Sequence, residues 1–273
     1  MFKFERNQSL LGGAFTTMEL VFHAIVRNIR SQHSNAVLAV LMNIVQILVI
    51  VTVFYLIMSL LGTRIAKIRG DFILFLLSGV FLFMTHIKAV GSVAGLGTAN
   101  NPLTLHSPMN FSVVLMAAAF GQLYTQVVSI LVILLVYVVL IGPVDIQNPG
   151  GAFAMLMLAW FTGCAVGVVF LALSPWFPRT VSILTQVYRR MNMLFSGKMF
   201  VGNALGGFML SLFTWNPLFH AIDQCRGFVF RNYYPRNSSW EYALWVGIVL
   251  LMIGLLAEFY TRQHVSKSWD ARR

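Results

Sequence analysis

Long apolar runs separated by short polar stretches dominate the pattern of this chain. An apolar run of about 20 residues is long enough to cross a bilayer as an α-helix. Six runs reach about this length, at residues 36–61, 72–94, 111–141, 152–173, 182–201 and 242–260. The pattern therefore predicts six transmembrane helices, and an even number of crossings places both termini on the same side.

A further apolar stretch, residues 203–231, lies between the fifth and sixth predicted spans. Pro217 divides it into two pieces of roughly 13 residues, and pieces this short do not cross a bilayer. Backbone at membrane depth is tolerated where protein covers it or where it lines a cavity. We therefore predict a re-entrant helical hairpin within a six-span domain at 36–261, followed by a cytoplasmic tail at 262–273.

Residues 1–35 contain an amphipathic pattern. Apolar residues recur there at helical spacing, whereas Arg27 and Arg30 lie largely off the apolar stripe. Thr16 and Glu19 fit a capping box, which places the start of the helix near Thr16. The pattern predicts an interface helix on the cytoplasmic membrane surface. Two interpretations stay open: a plain membrane anchor, and an anchor that also shapes a docking site for a soluble partner.

Composition agrees with an all-α integral membrane protein. Hydrophobic residues make up 58% of the chain and charged residues 10%, compared with about 25% charged residues in soluble domains. Ten lysines and arginines fall on the side of the predicted N-terminus and six on the opposite side. This bias favours cytoplasmic termini, although the basic cluster at 64–69 opposes it.

Motifs for enzymatic chemistry are missing from the sequence. Gly197-Lys198 is followed by Met199, so no stretch matches the phosphate-binding loop of nucleotide hydrolases. Cys164 and Cys225 have no metal-ligand spacing. The eight acidic residues are scattered along the chain. We predict no enzymatic activity, no metal site and no cofactor, and a membrane glycosyltransferase is disfavoured because paired carboxylates are missing.

A polar cluster follows the break at Pro217. His220, Asp223 and Arg226 recur every third residue, which puts a base, an acid and a cation along one helical face. Such groups are expensive in lipid unless they pair or meet water. One interpretation is a structural staple that closes a turn, and the other is a gate on a translocation pathway formed by these residues with Asn216 and Pro217.

The signature Asn216-Pro217-Leu218-x-His220-x-x-Asp223-x-x-Arg226, together with the amphipathic helix, six spans and hairpin, resembles the permease subunit of ABC-2 type polysaccharide exporters. It is most similar to the capsule-export permeases of Gram-negative bacteria, in which a glutamate stands at the position of Asp223. The chain departs from that family at 27–33, after the amphipathic helix, and at 100–106, where the family tends to carry basic residues.

The resemblance implies the partners and the location. Two copies would form the pore in the bacterial inner membrane, with both termini cytoplasmic. Two copies of a separate ABC ATPase, which binds ATP and magnesium, would dock near Arg27, Arg30 and His106. A periplasmic polysaccharide co-polymerase and an outer-membrane exporter are further expected partners, and nucleic acid is not. The cargo would be a lipid-linked, capsular-type polysaccharide.

Such a cargo predicts cations and aromatic rings along its path. The predicted fifth span offers cations and one tyrosine, and other spans offer further aromatic residues. The expected pathway residues are Arg189, Arg190, Lys198, Tyr188, Tyr124 and Trp160. The alternative is that the arginines snorkel to an interface.

Other features carry structural expectations. His86 and Lys88, near the end of the second run, should lie at an interface or face the protein interior. Gly163-x-x-x-Gly167 and Gly91-x-x-x-Gly95 permit close helix packing. Two alternative functions stay open: an ABC-2 exporter of another amphiphile such as a glycolipid or drug, and a stand-alone channel or ion-coupled transporter.

Overall fold

The computed structural model describes residues 18–26, 36–60, 71–97 and 111–270, except the side chains of 36 and 265–270. These residues form helices and connecting turns without any β-strand. In chain order the helices are α1 (18–26), α2 (Ala36–Leu60), α3 (Phe72–Ala94), α4 (Phe111–Leu140), α5 (Pro149–Leu173), α6 (Pro178–Phe195), α7 (Gly207–Phe213), α8 (Pro217–Val229) and α9 (Trp240–Asp270).

Five of these helices, α2 to α5 and α9, are long and apolar enough to cross a membrane. Their ends follow local sequence signals. The Asp71 side chain accepts from the backbone N–H of Ile73 at 2.9 Å and caps α3. Asn148 caps α5 by accepting from Gly151 at 2.9 Å, with Pro149 at the first helical position. The chain is a multi-pass, all-helical membrane protein.

The predicted span at 182–201 is wrong in its bounds and in its apolar character. The helix in this region, α6, begins at Pro178 and ends at Phe195, and it is not among the five long apolar helices of the described residues. Its 18 residues rise about 27 Å, and they include Arg189, Arg190 and Asn192. The chain turns at Gly197, which has a φ of 68°.

The relative direction of α5 and α9 determines the course of α6. The two helices run parallel, because Gly247 lies against Phe161, and Thr261 Oγ1 donates to the carbonyl oxygen of Ala172 at 3.2 Å. The connection between them must therefore return along the bundle, and α6 provides this return. Among the described helices, α2, α4 and α6 thus run one way, and α3, α5 and α9 run the other.

The two ends of the bundle are distinct. At one end, which we call the terminal end, α1 packs through Ala24 on Val113 and Ala117 of α4, and Arg262 of α9 lies 3.7 Å above the Phe111 ring. We call the other end the hairpin end, because α7 and α8 lie there. The interface helix predicted from the sequence is therefore present as α1 over residues 18–26. Its predicted arginines, Arg27 and Arg30, lie outside the described residues.

The segment predicted as a hairpin contains two short helices, of which α8 has the expected 13 residues and α7 has only 7. Residues 214–216 separate α7 from α8, so the break falls where Pro217 places it. Almost every side chain of α8 is buried. At the other end of the domain, α9 continues to Asp270, so the segment predicted as a tail is helical over most of its length.

Helix α3 forms the centre of the bundle, where it packs against α2, α4, α5, α6 and α8. Close approach to α5 depends on glycine. A Cβ atom on Gly163 would lie 2.6 Å from the His86 carbonyl oxygen, and one on Gly167 would lie 2.7 Å from Val93 Cβ. The predicted packing role of these two glycines is confirmed. Gly91 instead accommodates the Arg189 side chain, which the sequence did not indicate.

Candidate functional site

Arg226 is the centre of a buried polar cluster at the hairpin end. Its side chain is only 1% exposed. Nη1 donates to the carbonyl oxygens of Gly197 and Phe200 at 3.1 and 2.5 Å, and Nη2 donates to that of Lys198. The guanidinium also lies 4.0 Å above the Phe75 ring. Arg226 therefore provides donors for the irregular backbone that follows α6, which has no helical partners for these oxygens.

Asp223, one turn earlier on α8, binds the segment before α9. Its carboxylate accepts from the Tyr233 hydroxyl and from Ser238 Oγ, the latter at 2.7 Å. Burial, and then the adjacent carboxylate, raise the pKa of Tyr233, so this hydroxyl stays protonated as a donor. Gly202 allows the close approach, because a Cβ atom there would lie 2.6 Å from Asp223 Oδ1.

His220 and Asn216 bind further segments to the start of α8. The Ser239 backbone N–H donates to His220 Nδ1 at 3.0 Å, so Nε2 carries the proton and donates to the Thr214 carbonyl oxygen at 2.7 Å. Asn216 Oδ1 accepts from Leu218 N at 3.0 Å and caps α8 in front of Pro217. Its Nδ2 donates to the Phe195 carbonyl oxygen at 2.9 Å.

These side chains thus bind different parts of the chain to α8. The spacing of His220, Asp223 and Arg226 suggested hydrogen bonds between neighbours, but in the described structure each bonds to a separate segment. This geometry is that of a staple. The gate interpretation stays a prediction.

A different polar feature lies halfway along the bundle. A cavity of about 430 Å³ opens between α2, α3, α4 and α6. Its lining residues are Gln46, Ile87, Lys88, Gly91, Ser92, Gln122 and Arg189. A second cavity of about 390 Å³ shares Gln46, Lys88 and Gln122 and adds Asn43 and Thr125. We call the two together the polar cavity.

The polar cavity lies at mid-depth. Gln46, Lys88 and Gln122 are each within about four residues of the middle of their apolar helix, which is about 6 Å along a helix axis. Amide and ammonium groups at that depth are costly unless they face protein or water. The position predicts a hydrated or ligand-filled space inside the membrane.

Both charged lining residues of the polar cavity are cations. The Arg189 side chain lies against Gly91 so closely that a Cβ atom there would be 1.9 Å from Nη2. Arg189 Nε is buried and has no hydrogen-bond partner among the residues that the structure describes. Among the described residues that line the cavity, none is acidic. The space is therefore suited to an anionic or hydroxyl-rich ligand, because Lys88 and Arg189 supply donors without a protein counter-charge.

The predicted cations of 182–201 occupy different environments. Arg189 lines the polar cavity, whereas Arg190 is exposed on the outer side of α6. Lys198 is 1% exposed and lies between the Phe83 and Phe54 rings, with Nζ 3.7 and 5.1 Å from their centroids. Lys198 is thus enclosed by aromatic rings and does not line the cavity.

The predicted aromatic pathway residues are also separated. The Tyr188 hydroxyl and His86 Nε2 form a hydrogen bond of 2.8 Å, and His86 is fully buried as expected for a protein interior. Trp160 donates Nε1 to the Ala119 carbonyl oxygen at 3.0 Å between α4 and α5. Tyr124 is 55% exposed on the surface of α4. None of the three lines the polar cavity.

Sequence reasoning missed most of this cavity, although one signal was present. Polar side chains recur at helical spacing in two very apolar helices, with Asn43 and Gln46 on α2, and Gln122 and Gln126 on α4. Asn43 Nδ2 donates to Gln126 Oε1 at 2.7 Å, which joins the two rows. Amides that repeat on one face of an apolar span therefore indicated a polar interior.

The remaining predicted site residues are not described. Arg27, Arg30 and His106, expected at an ATPase contact, lie outside the described residues. Over 18–26, 36–60, 71–97 and 111–270, no group of three or more histidine, cysteine or acidic residues could hold a metal ion.

Comparison of the sequence with protein-family models gives no match, and comparison with curated proteins gives no significant match.

Proposed function

We propose that the chain is the transmembrane permease half of an ATP-driven ABC-2 type exporter that moves an anionic, lipid-linked, capsular-type polysaccharide across the bacterial inner membrane. The observation that carries this proposal is the polar cavity with Lys88 and Arg189 at mid-depth. The resemblance of the hairpin signature to the polysaccharide exporters supplies the reaction and the partners.

The energetics of the cavity support an anionic cargo. An arginine or lysine at the centre of an apolar helix bundle costs about 3 kcal/mol on insertion scales. Lys88 and Arg189 share one cavity whose described lining holds no carboxylate. Function is the usual reason for retaining two such cations, and a phosphate or uronic acid carboxylate passing between them would offset their cost. The amides of Gln46 and Gln122 provide partners for sugar hydroxyls.

The outer side of α6 supports a dimer. Ile183 and Leu194 are 61% and 68% exposed, and the charged Arg190 is exposed between them along the helix. Gln46, which lines the polar cavity, is also exposed on α2. Polar groups at these positions are unfavourable against lipid. A second copy that covers α2 and α6 would enclose them and would join two polar cavities into one channel.

In this proposal the terminal end of the bundle is cytoplasmic, and two copies of a separate ATPase dock there. ATP and magnesium bind to that partner. The hairpin at the opposite end closes the channel while Arg226 holds the turn after α6, and it opens when the ATPases close on ATP.

The test begins with the ABC ATPase encoded beside this chain. We expect the two proteins to co-purify and the chain to stimulate ATP hydrolysis in proteoliposomes. An anionic lipid-linked glycan should increase this stimulation further. If the chain associates with no ATPase, the exporter proposal is wrong and a stand-alone channel or ion-coupled transporter replaces it. Stimulation by glycolipids or drugs, but not by glycans, would identify another amphiphile as the cargo.

Two variants address the cavity itself. Lys88→Gln and Arg189→Gln each keep a polar side chain but remove a cation, and we expect each to reduce glycan-stimulated hydrolysis at least about tenfold. Complex formation should be unchanged, because neither residue lies at the terminal end. The matched control is Arg236→Gln, an exposed arginine of the loop before α9. An equal loss of activity in all three variants would show that the loss does not arise from the polar cavity.

A further inference from the structure

An apolar cavity of about 390 Å³ lies between the halves of α4 and α5 that are nearest the hairpin end. Its walls include Leu134 on α4 and Leu156 on α5, with Leu82 of α3 and Val229 of α8 as the floor. The Ser78 hydroxyl in the wall donates to the Phe75 carbonyl oxygen at 2.8 Å, so it is satisfied within its own helix. We call this space the apolar groove, and its chemistry suits a hydrocarbon ligand.

The apolar groove is held open by backbone hydrogen bonds. Consecutive antiparallel helices usually pack in direct contact, but the loop between α4 and α5 binds to the end of α8. Gln147 N donates to the Val229 carbonyl oxygen at 3.2 Å, and Asn148 N donates to that of Phe228 at 2.9 Å. These bonds draw the start of α5 away from α4. Further along, the helices meet again, where Trp160 donates to the Ala119 carbonyl oxygen at 3.0 Å.

The groove opens sideways. Leu131 and Phe153 stand on its two rims and are 61% and 52% exposed. Leu131 is nine residues from the end of α4, which is about 13 Å along the helix axis. The hydrocarbon core of one leaflet is about 15 Å thick. At this depth the medium at the opening is lipid. The lining covers residues 127–134 of α4, about 10 Å along the helix axis, so the groove fits within one leaflet.

Charged side chains lie where the groove reaches the hairpin end. Ile146 lines the groove, and its neighbour Asp145 accepts from Arg231 Nη2 at 3.2 Å. Both side chains of this pair are about 70% exposed. A zwitterionic phospholipid carries a phosphate and an ammonium at the corresponding height, so Arg231 and Asp145 match its headgroup in charge.

From these observations we infer that the apolar groove binds one acyl chain of a zwitterionic phospholipid from the leaflet at the hairpin end, with the headgroup at Asp145 and Arg231. The site lies on the other side of α4 from the polar cavity, so it does not depend on what the protein transports. A bound chain would fill the space beside α8 and support the hairpin.

The test uses the full-length protein in nanodiscs that contain phosphatidylethanolamine with a photoreactive diazirine halfway along one acyl chain. After irradiation, peptide mapping locates the adducts. We expect adducts concentrated on the walls of the groove, in segments 127–134 and 149–156. Ala152→Phe places a ring in the groove and should reduce this labelling at least about fivefold. Ala154→Phe is the matched control, because Ala154 is exposed on the outer side of the same helix.

Ala152→Leu, with a smaller filler, provides an intermediate case if the phenylalanine variant does not fold. Arg231→Gln should weaken retention of phosphatidylethanolamine but leave labelling by a photoreactive alkane without a headgroup unchanged. Labelling of the groove that is equal in wild type, Ala152→Phe and Ala152→Leu would overturn the inference. So would adducts spread evenly over exposed positions, or a groove that stays unlabelled because a second copy of the chain covers it.

Discussion

Replacing Arg226 by methionine gives a direct test of how the hairpin is held. Methionine keeps much of the side-chain volume and removes the donors to the carbonyl oxygens of Lys198 and Phe200, whereas the Gly197 carbonyl oxygen still accepts from the Phe200 backbone N–H at 3.1 Å. A buried acceptor without a partner costs about 1–3 kcal/mol. Two such acceptors give a lower limit of about 2 kcal/mol. We use this lower limit because the variant also removes the desolvation cost of a buried cation, which offsets part of the loss.

An equilibrium free energy is difficult to measure for a membrane protein that unfolds irreversibly, so the assay is a rate. The half-life of the monodisperse protein at a fixed temperature, followed by size-exclusion chromatography in detergent, reports the barrier to unfolding. About 2 kcal/mol corresponds to roughly 30-fold in an equilibrium constant. If at least half of this free energy appears in the barrier to unfolding, the half-life of Arg226→Met falls about 5-fold or more.

Two further variants control this experiment. Arg236→Met makes the same substitution at an exposed arginine of the neighbouring loop and should change the half-life less than about twofold. Arg226→Lys keeps the charge but loses the planar fork that reaches several carbonyl oxygens, so we expect it to recover only part of the loss. A half-life of Arg226→Met equal to that of wild type would refute the assignment of Arg226 as the group that holds the turn after α6.

Three other perturbations test the packing and the polar cluster. Gly163→Ala places a methyl group against the His86 carbonyl oxygen, so it should destabilise the protein by about 1–3 kcal/mol and shorten its thermal half-life. The control is Gly207→Ala, which should not shorten the thermal half-life because a Cβ atom at Gly207 meets open space. Tyr233→Phe removes the hydroxyl that donates to Asp223 and should shorten the thermal half-life, because the carboxylate loses a buried donor. Since the pKa of Tyr233 is raised above its ordinary value of 10, this hydrogen bond stabilises the fold fully below pH 10 and is lost as the pH rises further. A pH series should therefore show wild-type half-life falling above pH 10 more steeply than that of Tyr233→Phe, and parallel curves would contradict this.

Local signals made much of the fold predictable. The lengths of the first four apolar runs and of the sixth identify the five long helices. Pro217, as predicted, is the first residue of α8. These predictions rest on hydrophobic length and on the missing amide proton of proline, which act within one segment. The parallel arrangement of α5 and α9 could not be predicted in this way. It depends on contacts between residues such as Gly254 and Val168, far apart in sequence.

The polar cavity depends on contacts between helices, which the apolar runs do not show. The predicted bounds of the second run, 72–94, agree with those of α3, and Lys88 was expected at an interface or facing the protein interior. Lys88 faces the interior, because it lines the polar cavity together with Gln46 of α2, Gln122 of α4 and Arg189 of α6. Neighbours on three other helices cannot be predicted from the spacing within one run.

Counting partners separates two kinds of buried cation that look alike in the sequence. Arg226 has carbonyl acceptors for both terminal nitrogens and a ring beneath it, so its charge is used in holding the fold. Arg189 packs against Gly91 and lines the polar cavity, where the described lining supplies no carboxylate. Nε is buried without a hydrogen-bond partner in both arginines in the described structure, so the two differ in the surroundings of their terminal nitrogens. Arg226 variants should therefore lose stability first, whereas Arg189 variants should keep stability and lose activity. If Arg189→Gln instead shortens the thermal half-life as much as Arg226→Met does, both cations are structural, and the polar cavity loses its strongest link to an anionic cargo.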